Sequence, residues 1–132
     1  GVAAADIDHD GDLDLATSAG LYENILAAED KGHWFQVTVA GDVESNLDGH
    51  GATVELNAGD ESWLRHVNGG SGQGCQDSPV IHVGTGDVAS IDAITVNFPG
   101  GEEVTYTGPF DVDQHLWLFE SGDIHYGFDA PE

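Results

Sequence analysis

The sequence predicts an all-β domain, an antiparallel β-sandwich of about seven strands with a calcium-loop hairpin at its N-terminus. Apolar and polar residues alternate along several short stretches, which is typical of half-buried strands. Clusters of Gly, Asp, Asn and Ser separate these stretches, as turns separate strands. Helical periodicity is hard to find anywhere in the chain. The spacing of strands and turns therefore favours a sandwich.

Alternation identifies five stretches as strands. In residues 34–39, the apolar side chains of Phe35, Val37 and Val39 fall on one face. The same period identifies the other four predicted strands, which are residues 52–58, 94–98, 104–106 and 115–119. The turn clusters are residues 41–51, 57–60, 68–79, 84–87 and 99–102. Residues 25–30, the one stretch with plausible helical character, are predicted to form a linker turn.

The N-terminal hairpin is predicted from its loop. Aspartates occupy alternate positions around Gly11, and they are Asp6, Asp8, Asp10, Asp12 and Asp14. Such close packing of like charges costs repulsion, which a bound multivalent ion or concentrated salt can offset. The flanking apolar stretches, residues 2–5 and 13–16, show no amphipathic helical pattern. The loop is therefore predicted to join two strands.

The chemistry of this loop suits a hard cation. Ca²⁺ is the first candidate because it accepts many carboxylate and carbonyl oxygens in a flexible geometry. The spacing departs from an EF-hand loop, which would need a Glu where this chain has Thr17. The predicted calcium ligands are the side chains of Asp6, Asp8, Asp10 and Asp14 and the backbone carbonyl of Asp12, with His9 pointing away. The alternative is a solvated acidic turn.

The charge of the chain excludes several kinds of partner. Its 25 acidic residues face only Lys31 and Arg65, which gives a formal net charge of −23, yet the hydrophobic fraction of 39% is that of a folded protein. Nucleic acid and anionic membrane surfaces are poor partners, because both require Lys and Arg. Dispersed acids with almost no Lys are expected in a protein that works in concentrated salt, which screens self-repulsion. A calcium-rich extracellular matrix is the alternative setting.

Cysteine content and the first residues bear on context. Cys75 is the single cysteine, so an intrachain disulfide and a cysteine zinc site are both excluded. No signal peptide and no apolar run near transmembrane length are present, which argues against membrane insertion. Gly1 begins abruptly in a strand-like stretch. We therefore expect a fragment of a longer protein.

Two other features invite functional interpretations. The segment 69–78 has four glycines but no phosphate-loop lysine, so it is either a binding loop or a wide connection between sheets. Trp63 and Trp117 are candidates for an aromatic platform that binds sugar rings, although such residues more often belong to the core. Exposure of Trp63 beside Arg65 would favour glycan binding.

Catalytic patterns are weak in this sequence. The seven histidines are scattered and show no metal-ligand spacing. A triad could be assembled from Ser71 or Ser78 with His82 and Asp87, but no nucleophile elbow is present. Paired carboxylates for glycoside hydrolysis are equally possible, because acids are abundant. We therefore predict that the domain is not an enzyme.

Residues 1–24 resemble the last calcium-binding turn of an FG-GAP or VCBS-type β-propeller repeat. The resemblance rests on the aspartate loop and on the exit Leu21-Tyr22-Glu23-Asn24. It implies that a calcium-bearing propeller precedes the sandwich in the parent protein.

Residues 33–120 resemble the ASPIC/UnbV domain. The matching motifs, in order, are His33-Trp34, Gly41, Ser45-Asn46-Leu47-Asp48-Gly49-His50-Gly51-Ala52, Gly70-Ser71-Gly72 with Gln76, His82-Val83-Gly84-Thr85-Gly86, Ile91-Asp92-Ala93-Ile94-Thr95-Val96, Phe98-Pro99-Gly100-Gly101 and Asp113-Gln114. Gln73-Gly74 replaces the aromatic and aliphatic pair usual after Gly72, and Phe98 replaces the usual tryptophan. The resemblance implies a structural hydrogen bond for His82 near the turn at Gly84 and Gly86, with ligand binding as the alternative. It also implies a secreted or cell-surface binding module.

These observations give three segments and one functional expectation. Residues 1–30 are expected to be a partial FG-GAP/VCBS repeat with the calcium loop and a linker, residues 31–122 the ASPIC/UnbV-like sandwich, and residues 123–132 a C-terminal tail. The expected function is a non-enzymatic, calcium-stabilised binding or adhesion module of a larger extracellular, halophilic protein. Its ligand is an unidentified protein or glycan, and its oligomeric state is open. A carbohydrate-binding module attached to a glycan-acting enzyme is the alternative.

Overall fold

A computed structural model describes residues 1–70 and 72–131, and it confirms the all-β prediction. These residues contain no α-helix, and a single 3-10 turn, Ala28–Asp30, lies within the predicted linker turn. The strands are β1 (Val2–Ala5), β2 (Asp14–Thr17), β3 (Gly20–Tyr22), β4 (His33–Ala40), β5 (Thr53–Ala58), β6 (Glu61–His66), β7 (Ile81–Gly86), β8 (Ser90–Asn97), β9 (Glu103–Asp111), β10 (Gln114–Phe119) and β11 (Ile124–Tyr126). No helix in the described ranges is long and apolar enough to cross a membrane.

Two four-stranded sheets form the sandwich. One has the order β11-β10-β4-β7 and the other the order β6-β5-β8-β9. Their apolar faces meet in one core, in which Phe35, Val37 and Leu116 of the first sheet lie with Leu56 and Ile94 of the second, all without exposed surface. The alternation predicted from the sequence is therefore the alternation between core and solvent.

The sheets are antiparallel with one exception. Strands β4 and β10 run parallel, with Val37 opposite Leu116. A parallel pair needs a long crossover connection, and here the whole second sheet lies between the two strands in sequence. The antiparallel prediction is therefore right for every other strand pair of the described residues.

Three sandwich strands lie outside the five stretches that alternation identifies. Strand β6 is an edge strand with little burial, so its apolar alternation is weak. Strand β7 contains Gly84 and Gly86, which resemble turn residues in sequence. Strand β11 lies in the expected tail, residues 123–132, and Ile124 packs against the core. Chain segments with few apolar residues can thus complete a sheet through backbone pairing.

The N-terminal strands form a separate three-stranded antiparallel sheet in the order β1-β2-β3. This is the predicted hairpin, extended by one strand. It is fastened to the sandwich at the loop before β7, where Ala4 N donates to Asp77 Oδ1 at 2.8 Å and Ser78 N donates to Ala4 O at 3.0 Å. The glycine-rich segment 69–78 therefore connects the second sheet to the first and also holds the hairpin.

A buried carboxylate organises the loop after β4. Glu120 Oε2 accepts hydrogen bonds from the backbone N–H groups of Val43, Glu44 and Ser45 at 2.9–3.0 Å, and Oε1 accepts one from Ser45 Oγ at 2.7 Å. Burial opposes ionisation of Glu120, but these four hydrogen bonds outweigh it and lower the pKa to about 2. The carboxylate thus fixes the turn that follows Gly41.

Replacing Glu120 by Gln should lower the thermal midpoint at neutral pH. Both carboxylate oxygens of Glu120 accept hydrogen bonds, and in Gln one of them becomes an NH₂ group, which cannot accept a hydrogen bond from a donor. The contribution of wild-type Glu120 is complete above its ordinary pKa of 4.5 and is lost as the pH falls through about 2. The difference in midpoint between E120Q and wild type, followed by circular dichroism, should therefore shrink as the pH falls. Glu103→Gln, an exposed change on β9, is the control. A difference that is constant over this range would contradict the assignment.

Candidate metal centre and adjoining cleft

The hairpin brings three aspartates together. Asp6 follows β1 and Asp14 begins β2, and the register places Ala5 opposite Asp14. One carboxylate oxygen from each of Asp6, Asp8 and Asp14 lies within 4.8 Å of the other two. Asp14 is only 3% exposed. Three of the five predicted ligands therefore converge at the turn end of the hairpin.

Backbone donors surround the buried carboxylate of this cluster. Asp14 Oδ2 accepts a hydrogen bond from Ile7 N at 3.0 Å, and Oδ1 accepts one from Asn24 N at 2.8 Å. The second bond ties the chain after β3 back to the loop. Asp14 is thus part of the scaffold as well as part of the cluster.

Asp6 links the loop to the sandwich. Its Oδ1 accepts a hydrogen bond from Asp10 N at 3.2 Å and its Oδ2 one from Gly11 N at 3.1 Å, which closes the loop on itself. Oδ2 also accepts a hydrogen bond from Gln36 Nε2 on β4 at 2.6 Å. One carboxylate therefore fixes both the shape of the loop and its position on the sheet.

The remaining two aspartates hold a cation that the chain supplies itself. Lys31 Nζ lies 2.5 Å from Asp10 Oδ2 and 2.8 Å from Asp12 Oδ2. The hydrogen bond to Asp10 raises the pKa of Lys31, and the same ammonium group lowers the pKa of Asp10. The side chain of Asp10, predicted as a calcium ligand, thus pairs with Lys31 and lies outside the cluster of three.

Close packing seats the loop on the outer face of the first sheet. Gly11 has φ of +91°, and a Cβ at this position would lie 2.1 Å from Trp34 Nε1, so only glycine fits. His9 has φ of +64° and stacks on Phe128, with ring centroids 3.9 Å apart. The imidazole therefore lies against the C-terminal segment, and His9 does not belong to the aspartate cluster.

A cleft of about 250 Å³ lies beside Asp6 on the same outer face. The strands supply its floor through outward-facing side chains, which are Gln36 and Thr38 of β4, His82 of β7, and His115 and Trp117 of β10. Its walls come from the loop, from the segment before β7 and from the C-terminal segment, and they are Asp6, His9, Leu13, Ser78, Pro79, Val80 and Phe128. The cleft therefore exists only where the hairpin covers the sheet.

The histidines in the floor are held neutral. Burial lowers the pKa of His82, whose Nδ1 contacts Gln36 Nε2 at 3.2 Å. Burial also lowers the pKa of His115 to about 4, and His115 Nε2 contacts Thr38 Oγ1 at 2.7 Å. His115 is 4% exposed, and its Nδ1 has no hydrogen-bond partner among the described residues. The floor is therefore polar but uncharged at neutral pH.

The other candidate sites have the following positions. His82 of the possible catalytic triad contacts Gln36. In the described part of the chain, no hydrogen bond joins His82 to Ser78 or Asp87. Ser71 lies outside the described residues. Trp63 is half-buried and packs against the core from β6, whereas Trp117 lies on β10 of the other sheet. The two tryptophans therefore do not share a surface.

Several residues of this region were missed by sequence reasoning. In the sequence, Lys31 stands out only as one of two basic residues, and Gln36 falls on the polar side of an alternating strand without further signal. Phe128 lies in the expected tail. Trp34 stands out in the sequence only as part of a family motif. Contacts between segments far apart in sequence leave no local pattern by which to find them.

Comparison with known families gives one match. The family model described as "ASPIC and UnbV" matches residues 41–124, which is more than half of the chain. No curated protein matches the chain. The matched range includes β5 to β10 and the Glu120 turn but not the aspartate loop. The resemblance of the sandwich is thereby confirmed, and that of residues 1–24 to a propeller repeat stays a prediction.

His115 should make the stability depend on pH. Its folded-state pKa of about 4 lies below the ordinary value of 6.5, so stability is complete above pH 6.5 and is lost as the pH falls toward about 4. Thermal midpoints of His115→Gln should fall less than those of wild type over this window. His66→Gln, an exposed change on β6, is the control and should keep the wild-type dependence. Equal slopes for H115Q and wild type would contradict the assignment.

Proposed function

The chain belongs to the ASPIC and UnbV family, and we propose that it is a non-enzymatic, calcium-stabilised binding or adhesion module of a larger extracellular protein. The observation behind the calcium assignment is the convergence of Asp6, Asp8 and Asp14. Ca²⁺ binds oxygens at about 2.3–2.6 Å, so oxygens on opposite sides of one ion are about 5 Å apart. The spacing of at most 4.8 Å within the cluster suits a shared ion of this kind.

The proposed role of calcium is structural. Asp14 begins β2, Asp6 follows β1, and Asp6 also bonds to Gln36 of the sandwich. An ion that joins these two carboxylates would brace the hairpin and hold it on the sheet. The backbone carbonyl of Asp12 remains a proposed further ligand, while Lys31 balances the side chains of Asp10 and Asp12.

The wider context follows from the hairpin and the charge. We propose that residues 1–30 are a partial FG-GAP/VCBS repeat, which the antiparallel order β1-β2-β3 around an aspartate loop supports. A formal net charge of −23 supports a surface adapted to high salt. The ligand we propose is a protein or glycan on or near a cell surface. Trp63, whose exposure beside Arg65 would favour the alternative of a carbohydrate-binding module, is half-buried and packs against the core, which gives that alternative little support.

Calcium should raise the thermal midpoint of the wild-type domain. With a dissociation constant on the order of 10⁻⁴ to 10⁻³ M, a hundredfold excess over that constant would add about 2.7 kcal/mol to the free energy of unfolding. Asp8→Asn should abolish most of this shift, because it removes one of the three converging carboxylate charges at an exposed position. Asp60→Asn, an equivalent change in an exposed turn, should respond as wild type does. Equal calcium shifts in D8N and D60N would overturn the site.

Removal of salt should destabilise the domain. Repulsion among 25 acidic residues is screened at molar salt and grows as the ionic strength falls. Thermal midpoints measured from low to molar KCl in the presence of a chelator separate this effect from calcium binding. The double variant Glu102→Gln, Glu103→Gln removes two exposed charges and should weaken the salt dependence. A wild-type midpoint that does not change with salt would refute the halophilic assignment.

A further inference from the structure

The cleft beside the aspartate loop has the features of a ligand site. Its volume of about 250 Å³ is just below the range of about 300–1,000 Å³ typical of small-molecule sites, so it suits a compact ligand. We propose that this cleft binds a small organic cation with an alkylated ammonium group, held between Asp6 and the rings of Trp117 and Phe128. The site is separate from the metal cluster in chemistry, although Asp6 borders both.

Charge selects the class of ligand. Among the described residues that line the cleft, Asp6 is a carboxylate and none is Lys or Arg. The chain as a whole carries a formal net charge of −23, and its negative potential concentrates cations and repels anions. A phosphate, sulfate or carboxylate ligand would find no countercharge in this cleft. A cation would find one.

Aromatic rings supply the second half of the site. The indole N–H of Trp117 is buried without a partner among the described residues, while the residue as a whole is partly exposed. What Trp117 offers the cleft is therefore ring carbon, not a donor. Phe128 is fixed by the stack with His9 and by an edge contact to His115, with ring centroids 5.2 Å apart. His9 covers one face of Phe128, and the Trp117 ring lies nearly parallel to that of His115, with centroids 6.0 Å apart. The partly exposed Trp117 ring is therefore the main aromatic surface beside Asp6 that can attract an ammonium group, and Phe128 contributes its uncovered part.

The polar lining argues against a sugar as the ligand. A sugar needs several free donors and acceptors that converge on it. Here Gln36 is bonded to Asp6 and contacts His82, and Thr38 contacts His115. The hydroxyl of Ser78 accepts a hydrogen bond from Val80 N at 3.3 Å. Most polar lining groups are thus occupied with one another, and two others, His115 Nδ1 and Trp117 Nε1, are buried without a partner among the described residues. The alkyl groups of an ammonium ion would instead contact the apolar walls formed by Leu13, Pro79 and Val80.

The test compares choline with its neutral carbon isostere, 3,3-dimethylbutan-1-ol, on the wild-type chain. Binding is measured by tryptophan fluorescence and NMR shift perturbation at about pH 8, where ordinary histidines are neutral, and with a chelator so that Asp6 keeps its charge. Choline should bind at least about tenfold more tightly than the isostere, a ratio typical of a cation–π site. Equal affinities, or no saturable response to choline, would overturn the proposal.

A pair of variants locates the binding. Trp117→Leu should weaken choline binding at least about tenfold, whereas Trp63→Leu, the same change on the opposite sheet, should leave it within about twofold. Thermal midpoints of both variants verify that they are folded. If Trp117→Leu does not fold, the comparison of choline with its isostere on wild type still decides the question. Loss of binding in W63L, or unchanged binding in folded W117L, would place choline elsewhere.

Failure of this proposal and failure of the calcium site give different results. Asp8 belongs to the metal cluster and does not line the cleft. Asp8→Asn should therefore lose the calcium response and keep choline binding within about twofold, with the loss of one nearby charge as the only effect. Loss of choline binding in D8N would show that choline merely neutralises the acidic loop, and it would overturn the cleft assignment.

Discussion

Repulsion among the five carboxylates of residues 6–14 is the constraint on which the arrangement of the N-terminal third depends. Three kinds of donor offset this repulsion. They are backbone N–H groups within the loop, the side chain of Gln36 and the ammonium group of Lys31. Two of these come from outside the loop, so the loop cannot be satisfied by itself. Neutralising its charge and docking it on the sandwich are therefore the same set of contacts.

Docking of the aspartate loop on the sandwich accounts for the unusual side chains on the outer face of the first sheet. An outer face that was fully solvated would carry small polar or charged side chains, yet this one carries Trp34, Trp117, His82 and His115. Each is covered in part by the hairpin or by the segment around Phe128. The absence of a side chain at Gly11 is what lets Trp34 lie against the loop. The sheet thus has an apolar core on one side and a second, more polar contact layer on the other.

Strands that show a local alternation of apolar and polar residues could be predicted from the sequence. Features that depend on contacts between distant segments could not. Alternation located β4, β5, β8 and β10, because each buries every second side chain in the core. It missed β7, whose glycines resemble a turn, and the parallel pairing of β4 with β10, which no local pattern encodes. The aspartate spacing predicted five ligands, and the structure brings the carboxylates of three of them, Asp6, Asp8 and Asp14, within reach of one ion. The spacing could not show that Asp10 pairs with Lys31, because the partner lies twenty-one residues away in a different segment.

Asp6 would connect the two proposed sites of this region and make them interdependent. It is a member of the aspartate cluster, it accepts a hydrogen bond from Gln36, and it borders the cleft. A divalent cation in the cluster would withdraw negative charge from the cleft and so disfavour a second cation there, and by thermodynamic linkage an organic cation in the cleft would weaken metal binding to the same extent. Lys31 would take no direct part in this competition between cations. Its ammonium group pairs with the carboxylates of Asp10 and Asp12, which do not belong to the cluster of three. Two of the five aspartates, Asp10 and Asp12, pair with the ammonium group of Lys31, and three form the cluster. Of these three, only Asp6 also borders the cleft, so Asp6 is the carboxylate through which cation binding in the loop and cation binding in the cleft would affect each other.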